Sequence, residues 1–186
     1  MPSDMLADAL EAYARSNPRQ AGDAALFGNF LASAASVFER THAVGHFTGA
    51  AWLVSVDGRR TLLTHHRKLD RWLQPGGHAD GDHDLARVAL REAEEETGLR
   101  GLVVEPAIFD LDRHRIPARP GETAHWHYDV RFVVRATAGE DFVVSEESHA
   151  LAWRAVTEVA TDASIDASVR RMAGKWLARD RVMAQT

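Results

Sequence analysis

The sequence predicts a mixed α/β domain, a sheet flanked by helices, and three observations carry that prediction. Two strand-like runs, FTGAAWLVSV at 47–56 and RTLLTHH at 60–66, flank Asp57-Gly58, a dipeptide suited to a hairpin turn. Other segments space their apolar residues as helices do, most clearly from 83 to 97. The length, 186 residues, suits one domain with room for an added segment, because domains usually run to about 100–200 residues.

Taken in chain order, residues 3–16 form an amphipathic helix with Ser3 as cap and Met5, Leu6, Leu10 and Tyr13 on one side. Pro18 ends it. Leu26, Phe30, Leu31, Ala34, Val37 and Phe38 keep helical spacing and predict a second helix over 23–40. These two make an N-terminal helical extension, residues 1–40, that offers a surface for a homodimer; residues 41–186 make the main domain. After the hairpin, Pro75-Gly76-Gly77 predicts a turn, and the 83–97 helix stops at Gly98, a C-terminal cap. Strands are expected at 102–112, 126–136 and 150–154, and a closing helix at 165–182. Neither an internal repeat nor a low-complexity tract interrupts this order.

Composition narrows the function. With 45% hydrophobic and 26% charged residues the chain has the material for a core and is not a disordered tract. Acidic residues outnumber basic ones, 27 to 22, so nucleic acid and anionic membrane are not expected partners. The absence of cysteine excludes a disulfide scaffold, a thiolate zinc site and a thiol nucleophile. No apolar run approaches the roughly 18 residues of a membrane span, and Asp4, Asp8 and Glu11 stand where a signal peptide would be basic and then apolar. A cytoplasmic location is expected. Without thiols, imidazole and carboxylate are the strong metal ligands left, and eight of the ten histidines fall between His46 and His127.

The stretch from Gly76 to Leu99, GGHADGDHDLARVALREAEEETGL, concentrates the chemistry. At 100° per residue, Glu92, Glu95 and Glu96 occupy an arc of about 100° beside the apolar arc of Leu85, Ala89 and Ala93, while Glu94 points away, towards solvent. Like charges at these spacings repel, so the cluster asks for a cation, and a hard divalent metal would also neutralise substrate phosphates. An acidic helix face in solvent is the plain alternative for an isolated ExxEE. His65, His66, Arg67, Lys68 and Arg71 form a basic run before this stretch; it reads either as a solvated loop or as phosphate contact, with His66, Arg67, Lys68 and Arg71 the substrate-binding candidates. Trp72, Trp126 and Tyr128 read as core aromatics or as platforms for a base.

The same stretch resembles the Nudix box, G-x5-E-x7-R-E-U-x-E-E-x-G-U with U apolar, through Gly77, Arg91, Glu92, Ala93, Glu95, Glu96, Gly98 and Leu99. The likeness extends over roughly 45–182, helped by Trp153 in LAWRAV, and departs at His83, where the family pattern has its first glutamate. It implies an α/β/α sandwich and a hydrolase of nucleoside diphosphates linked to another group. It further implies magnesium or manganese on Glu92, Glu95, Glu96 and the Gly77 carbonyl, with Arg91 orienting the carboxylates. The general base would be Glu92 or, from a late loop, Glu146 or Glu147. A Nudix-fold binding or regulatory module without turnover is the alternative, favoured by His83 and opposed by the retained glutamates.

A second likeness concerns the histidines. His125 and His127, two apart in an expected strand, share a face. The run from His46 to Trp52 and the pair Gly77-His78 are similar to isopentenyl-diphosphate isomerase, of the same superfamily, where histidines at those places bind a metal with two acids two apart on a later strand. Here His125 and His127 would take the acids' places. Isomerase chemistry is excluded, since it moves protons at carbon with a cysteine. What remains is an expected second site, His46, His78, His125 and His127, suited to zinc, iron or nickel more than magnesium.

Overall fold

The computed structural model describes residues 2–67, 70–144 and 148–183. Seven strands form one sheet: β1 (Gly45–Val54), β2 (Arg60–His66), β3 (Arg71–Leu73), β4 (Gly76–His78), β5 (Val103–Ile116), β6 (His125–Arg135) and β7 (Ser148–Ala155). Among the described residues five α-helices accompany them: α1 (Pro2–Ser16), α2 (Ala21–Leu31), α3 (Leu85–Thr97), α4 (Val156–Val159) and α5 (Ala167–Met183). The expected hairpin is β1 and β2, its turn held by Gly58 at φ 70°. The sheet is mixed because β6 runs parallel to β1. The Trp126 amide bonds to the Val44 carbonyl and the Ala136 amide to that of Val54, a constant offset that only parallel strands keep.

The chain divides into two compact units, with β1, α3, β5 and β6 passing from one to the other. The first comprises residues 1–50, 76–89 and 105–132. In it β4 pairs antiparallel with β1, Thr48 opposite His78 and Ala50 opposite Gly76. One side of the strands is aromatic: Phe47 and Tyr128 pack against Phe27 and Phe30 of α2, with Tyr128 stacked on Phe30 at 3.7 Å. Tyr128 is therefore core and is not presented as a platform for a base. Alternation places Thr48, Asp129 and Arg131 on the opposite side, where Thr48 Oγ1 donates to Asp129 at 2.8 Å. Arg131, 2% exposed, faces Asp129 at 2.7 Å, Asp112 at 3.4 Å and Asp110 at 3.6 Å. Burial opposes its charge, but the three carboxylates outweigh that cost and raise the guanidinium's pKa.

In the second unit, residues 51–75, 90–104 and 133–186, β2 has β7 on one edge and β1 then β3 on the other. Its core gathers Leu53, Leu62, Ala93, Leu99, Val134 and Leu151. Trp176 of α5 donates its indole N–H to the Gly58 carbonyl at 2.8 Å, tying the closing helix to the hairpin turn.

Two expectations need correction. The second helix stops at Leu31, not at residue 40. Ser33 turns back on the Phe30 carbonyl, and the carbonyls of Val37 and Phe38 accept the amides of Phe47 and Gly81 instead of continuing a helical ladder. The apolar spacing was real, since Val37 and Phe38 are buried, but it serves contacts of irregular chain. Gly76 and Gly77 belong to β4, not to a turn. A Cβ at Gly76 would lie 2.6 Å from that of Ala50, so the close strand approach explains that glycine.

Gly76→Ala is accordingly expected to destabilise the protein by about 1–3 kcal/mol, the usual cost of overpacking. Gly139→Ala, where an added Cβ meets nothing within 4 Å, serves as control; equal denaturation midpoints for the two would refute the steric account. Arg131→Leu is expected to cost more, about 3–5 kcal/mol, because it strands buried carboxylates. Urea unfolding curves check both.

Candidate functional site

Helix α3 begins where Asp84 caps it, its carboxylate accepting the Arg87 amide at 3.0 Å and its carbonyl the Val88 amide at 3.0 Å. Asp82 braces this cap by accepting the Asp84 amide and the Arg87 guanidinium. The helix ends at Gly98, whose φ of 68° is the left-handed conformation that favours glycine. Between these ends Glu92, Glu95 and Glu96 line one face, Glu95 exposed and the other two half-buried. Arg91 Nη2 donates to Glu92 Oε1 at 2.9 Å. Glu94 is half-buried, whereas the helical projection placed it in solvent.

His83, the departure from the box pattern, has a partner the sequence did not reveal. Its ring stacks on Phe38 at 4.1 Å and 22°, and its Nδ1 is buried without a hydrogen-bond partner. Asp82 and Asp84 on either side supply the polar bracing.

Gly77 lies on β4 in the first unit, directly before His78. In that unit His46, His78, His125 and His127 come together: the His46 ring centroid lies 5.0 Å from that of His78, 4.9 Å from His125 and 4.7 Å from His127. His125 and His127 face each other Nε2 to Nε2 at 3.2 Å. Among the described residues, His46, His125 and His127 offer three ligand nitrogens all within 4.8 Å of one another. Burial, then the neighbouring His78 and His125, push His46 down to about 4. Burial, then His46 and His78, push His127 down to about 2. Burial and Arg40 also hold His78 below the ordinary imidazole value. These three rings are neutral at pH 7, the form that donates a lone pair.

Two neighbours of this cluster were missed in the sequence. His114 stands 5.3 Å from His127, ring to ring, and 3.5 Å from Asp112. Burial works against its protonation, but the hydrogen bond to Asp112 and the charge of Asp129 prevail and raise its pKa. The spacing Asp112-x-His114 on a strand was the available signal. Arg40, ion-paired with Asp80, is the other.

Of the basic run, Lys68 lies outside the described residues, as do Glu146 and Glu147. His66 ends β2. Arg67 reaches the Ser148 carbonyl at 3.4 Å, and Arg71, exposed, stands 3.7 Å from Asp166. Trp72 packs on His65, and Trp126 lies under the Arg113 guanidinium at 4.3 Å.

A family model described as NUDIX domain matches residues 46–173. A Mycobacterium tuberculosis protein that carries the provisional name 8-oxo-dGTP diphosphatase 3 is 34% identical over 118 residues, 56% of this chain and 48% of that protein. The m7GpppN-mRNA hydrolase NUDT17 of Xenopus laevis is 37% identical over 71 residues, 36% of this chain and 24% of that protein. The chain thus spans about half the length, or less, of these curated relatives. Among solved structures, a Caenorhabditis elegans Ap4A hydrolase superposes with a TM-score of 0.58 at 17% identity, over 73% of this chain and 98% of that one. A MutT protein from Methanosarcina mazei gives 0.56 at 18%, over 73% and 94%. Both show the same fold.

Proposed function

Because the chain belongs to the Nudix family, we propose that it hydrolyses a nucleoside diphosphate joined to a second group, through water attacking phosphorus with a divalent metal held on α3. The carrying observation is the arrangement of Glu92, Glu95 and Glu96 along one face of a helix capped by Asp84 and stopped by Gly98. Two relatives bearing hydrolase or diphosphatase names support the reaction class.

The donor set suits a hard cation. Three carboxylates stand on one helix face at accessible or half-accessible positions, and Arg91 engages Glu92. Glu92, Glu95 and Glu96 would hold magnesium or manganese, with the Gly77 carbonyl as a further ligand. When bound, the metal would lower the pKa of water and offset charge developing on the diphosphate. The protein's own share is positional: Arg91 orients the Glu92 carboxylate, and the proton of the attacking water passes to Glu92 or to Glu146 or Glu147. His66, Arg67, Lys68 and Arg71 would meet phosphate oxygens beyond the metal's reach. A small diphosphate derivative is therefore the proposed substrate, processed by residues 41–186 with 1–40 as an extension.

Replacing Glu95 or Glu96 by Gln keeps shape and removes ligand charge. Turnover at fixed magnesium should fall by more than the roughly 10–100-fold that loss of an outer-shell partner costs. Phosphate release from a panel of nucleoside diphosphate derivatives reads this out; turnover near wild type would remove these ligands from the reading, and no turnover by the wild type on any panel member would favour a binding module. The base is identified separately. Glu92→Gln and the double change of Glu146 and Glu147 to Gln should differ, the true base costing about 10²–10⁴-fold at every pH and not merely raising the magnesium requirement.

A further inference from the structure

We propose that His46, His125 and His127, with His78 beside them, form a binding site for a borderline transition-metal dication of the zinc class, separate from the carboxylates of α3. The first observation is His46 itself. Its ring is 1% exposed, and neither Nδ1 nor Nε2 has a hydrogen-bond partner. A buried imidazole normally satisfies at least its N–H, because an unmade buried hydrogen bond is costly. Around it stand the rings of His78, His125 and His127 at 4.7–5.0 Å between centroids, none of them a carboxylate or carbonyl that would explain the burial as a simple hydrogen-bonded core histidine.

The second observation is tautomer control. His125 Nδ1 lies 2.9 Å from the Thr123 carbonyl, an acceptor only, so Nδ1 is the donor and in the neutral ring Nε2 carries the lone pair. That lone pair points at His127 Nε2, 3.2 Å away. Two zinc ligands at about 2.0–2.1 Å and tetrahedral angles stand roughly 3.3–3.4 Å apart, so this pair already has the edge length of a zinc site. The third nitrogen, from His46, is within 4.8 Å of both and closes the set by a modest ring movement. A backbone carbonyl fixing the far nitrogen of a ligand imidazole is the arrangement that orients metal-bound histidines.

The third observation is that the surroundings suit a cation. Glu122 Oε1 stands 3.6 Å from His125 Nε2, within reach of an ion placed there. Arg40, whose charge bears on His46 and His78, is ion-paired with Asp80. Three imidazoles without thiolate suit zinc, nickel or cobalt and reject magnesium and calcium, which take oxygen. A bound ion would tie β1 to β6, and through His78 to β4.

Zinc is the probe. The full chain is stripped with chelator, dialysed into millimolar magnesium to fill any carboxylate site, and titrated with zinc. One zinc per chain by elemental analysis, with a raised melting temperature, is the expected result. His127→Asn, at a half-exposed strand position chosen because replacing the buried His46 endangers folding, should lose that zinc and the melting shift. Glu95→Gln should keep both, which separates this site from the proposed catalytic one. In the wild type, cobalt(II) should give the visible bands of a four-coordinate nitrogen site and shift the imidazole proton resonances, a readout that stands even if the variant does not fold. Failure of the wild type to retain zinc over magnesium overturns the proposal. So does zinc kept by folded His127→Asn, or lost in Glu95→Gln, or cobalt that leaves the imidazole resonances unmoved.

Discussion

In the first unit, everything hangs on the two-faced character of β6. Its sequence HWHYDVRFVVR alternates, so Trp126, Tyr128, Val130 and Phe132 take one side while His125, His127, Asp129 and Arg131 take the other. A half-exposed strand could leave the second set in water. Here Asp129 and Arg131 are buried, and β1 beside them is buried along its whole length, so the polar row must be satisfied inside the protein. Arg131 achieves this by facing Asp110 and Asp112 of β5 as well as Asp129. Thr48 of β1 then joins Asp129, so the row fixes the register of three strands at once. Shifting β6 by one residue would push Tyr128 into the charges and Arg131 into the aromatic side.

The histidines continue that row towards the start of β6. At the Arg131 end the strand carries opposite charges that pair; at the His125 end it carries two imidazoles facing each other. Burial first, and the neighbouring imidazoles after it, bring His46 down to about 4 and His127 to about 2. His114 marks the crossover. It touches His127 on one side and Asp112 on the other, and the carboxylate wins, leaving its pKa raised.

How much of this was legible depended on whether a residue's reason was local. Asp57-Gly58 and Gly98 were readable because φ values of 70° and 68° at the glycines are local demands. The pairing of His125 with His127 was readable because a strand has period two. The end of α2 was not, because Val37 and Phe38 kept helical spacing while their carbonyls bond to Phe47 and Gly81, far along the chain. Gly76 was noticed for the wrong reason: two glycines after a proline look like a turn, but what demands the first is the Cβ of Ala50 across β1. The Asp129-Val130-Arg131 triplet in an apolar strand was a signal of a buried ion network that went unread. His83 was noticed as a departure from a pattern, and only the fold supplies Phe38, forty-five positions earlier, as the ring it stacks on.

That stacking changes what the departure means. A glutamate at position 83 could not lie flat on Phe38, and an imidazole can, so the substitution is coupled to the segment that precedes β1 and not to the carboxylates alone. The consequence is a division of donor types along the chain. Glu92, Glu95 and Glu96 set three oxygen donors on one face of α3, and the nitrogen donors that cluster are those of the β1, β4 and β6 histidines. Affinity alone would let zinc displace magnesium from most sites, since divalent ions climb in binding strength across the first transition row and magnesium stands below it. In a chain with no thiolate, the proposed histidine site would counter this by offering zinc nitrogen donors.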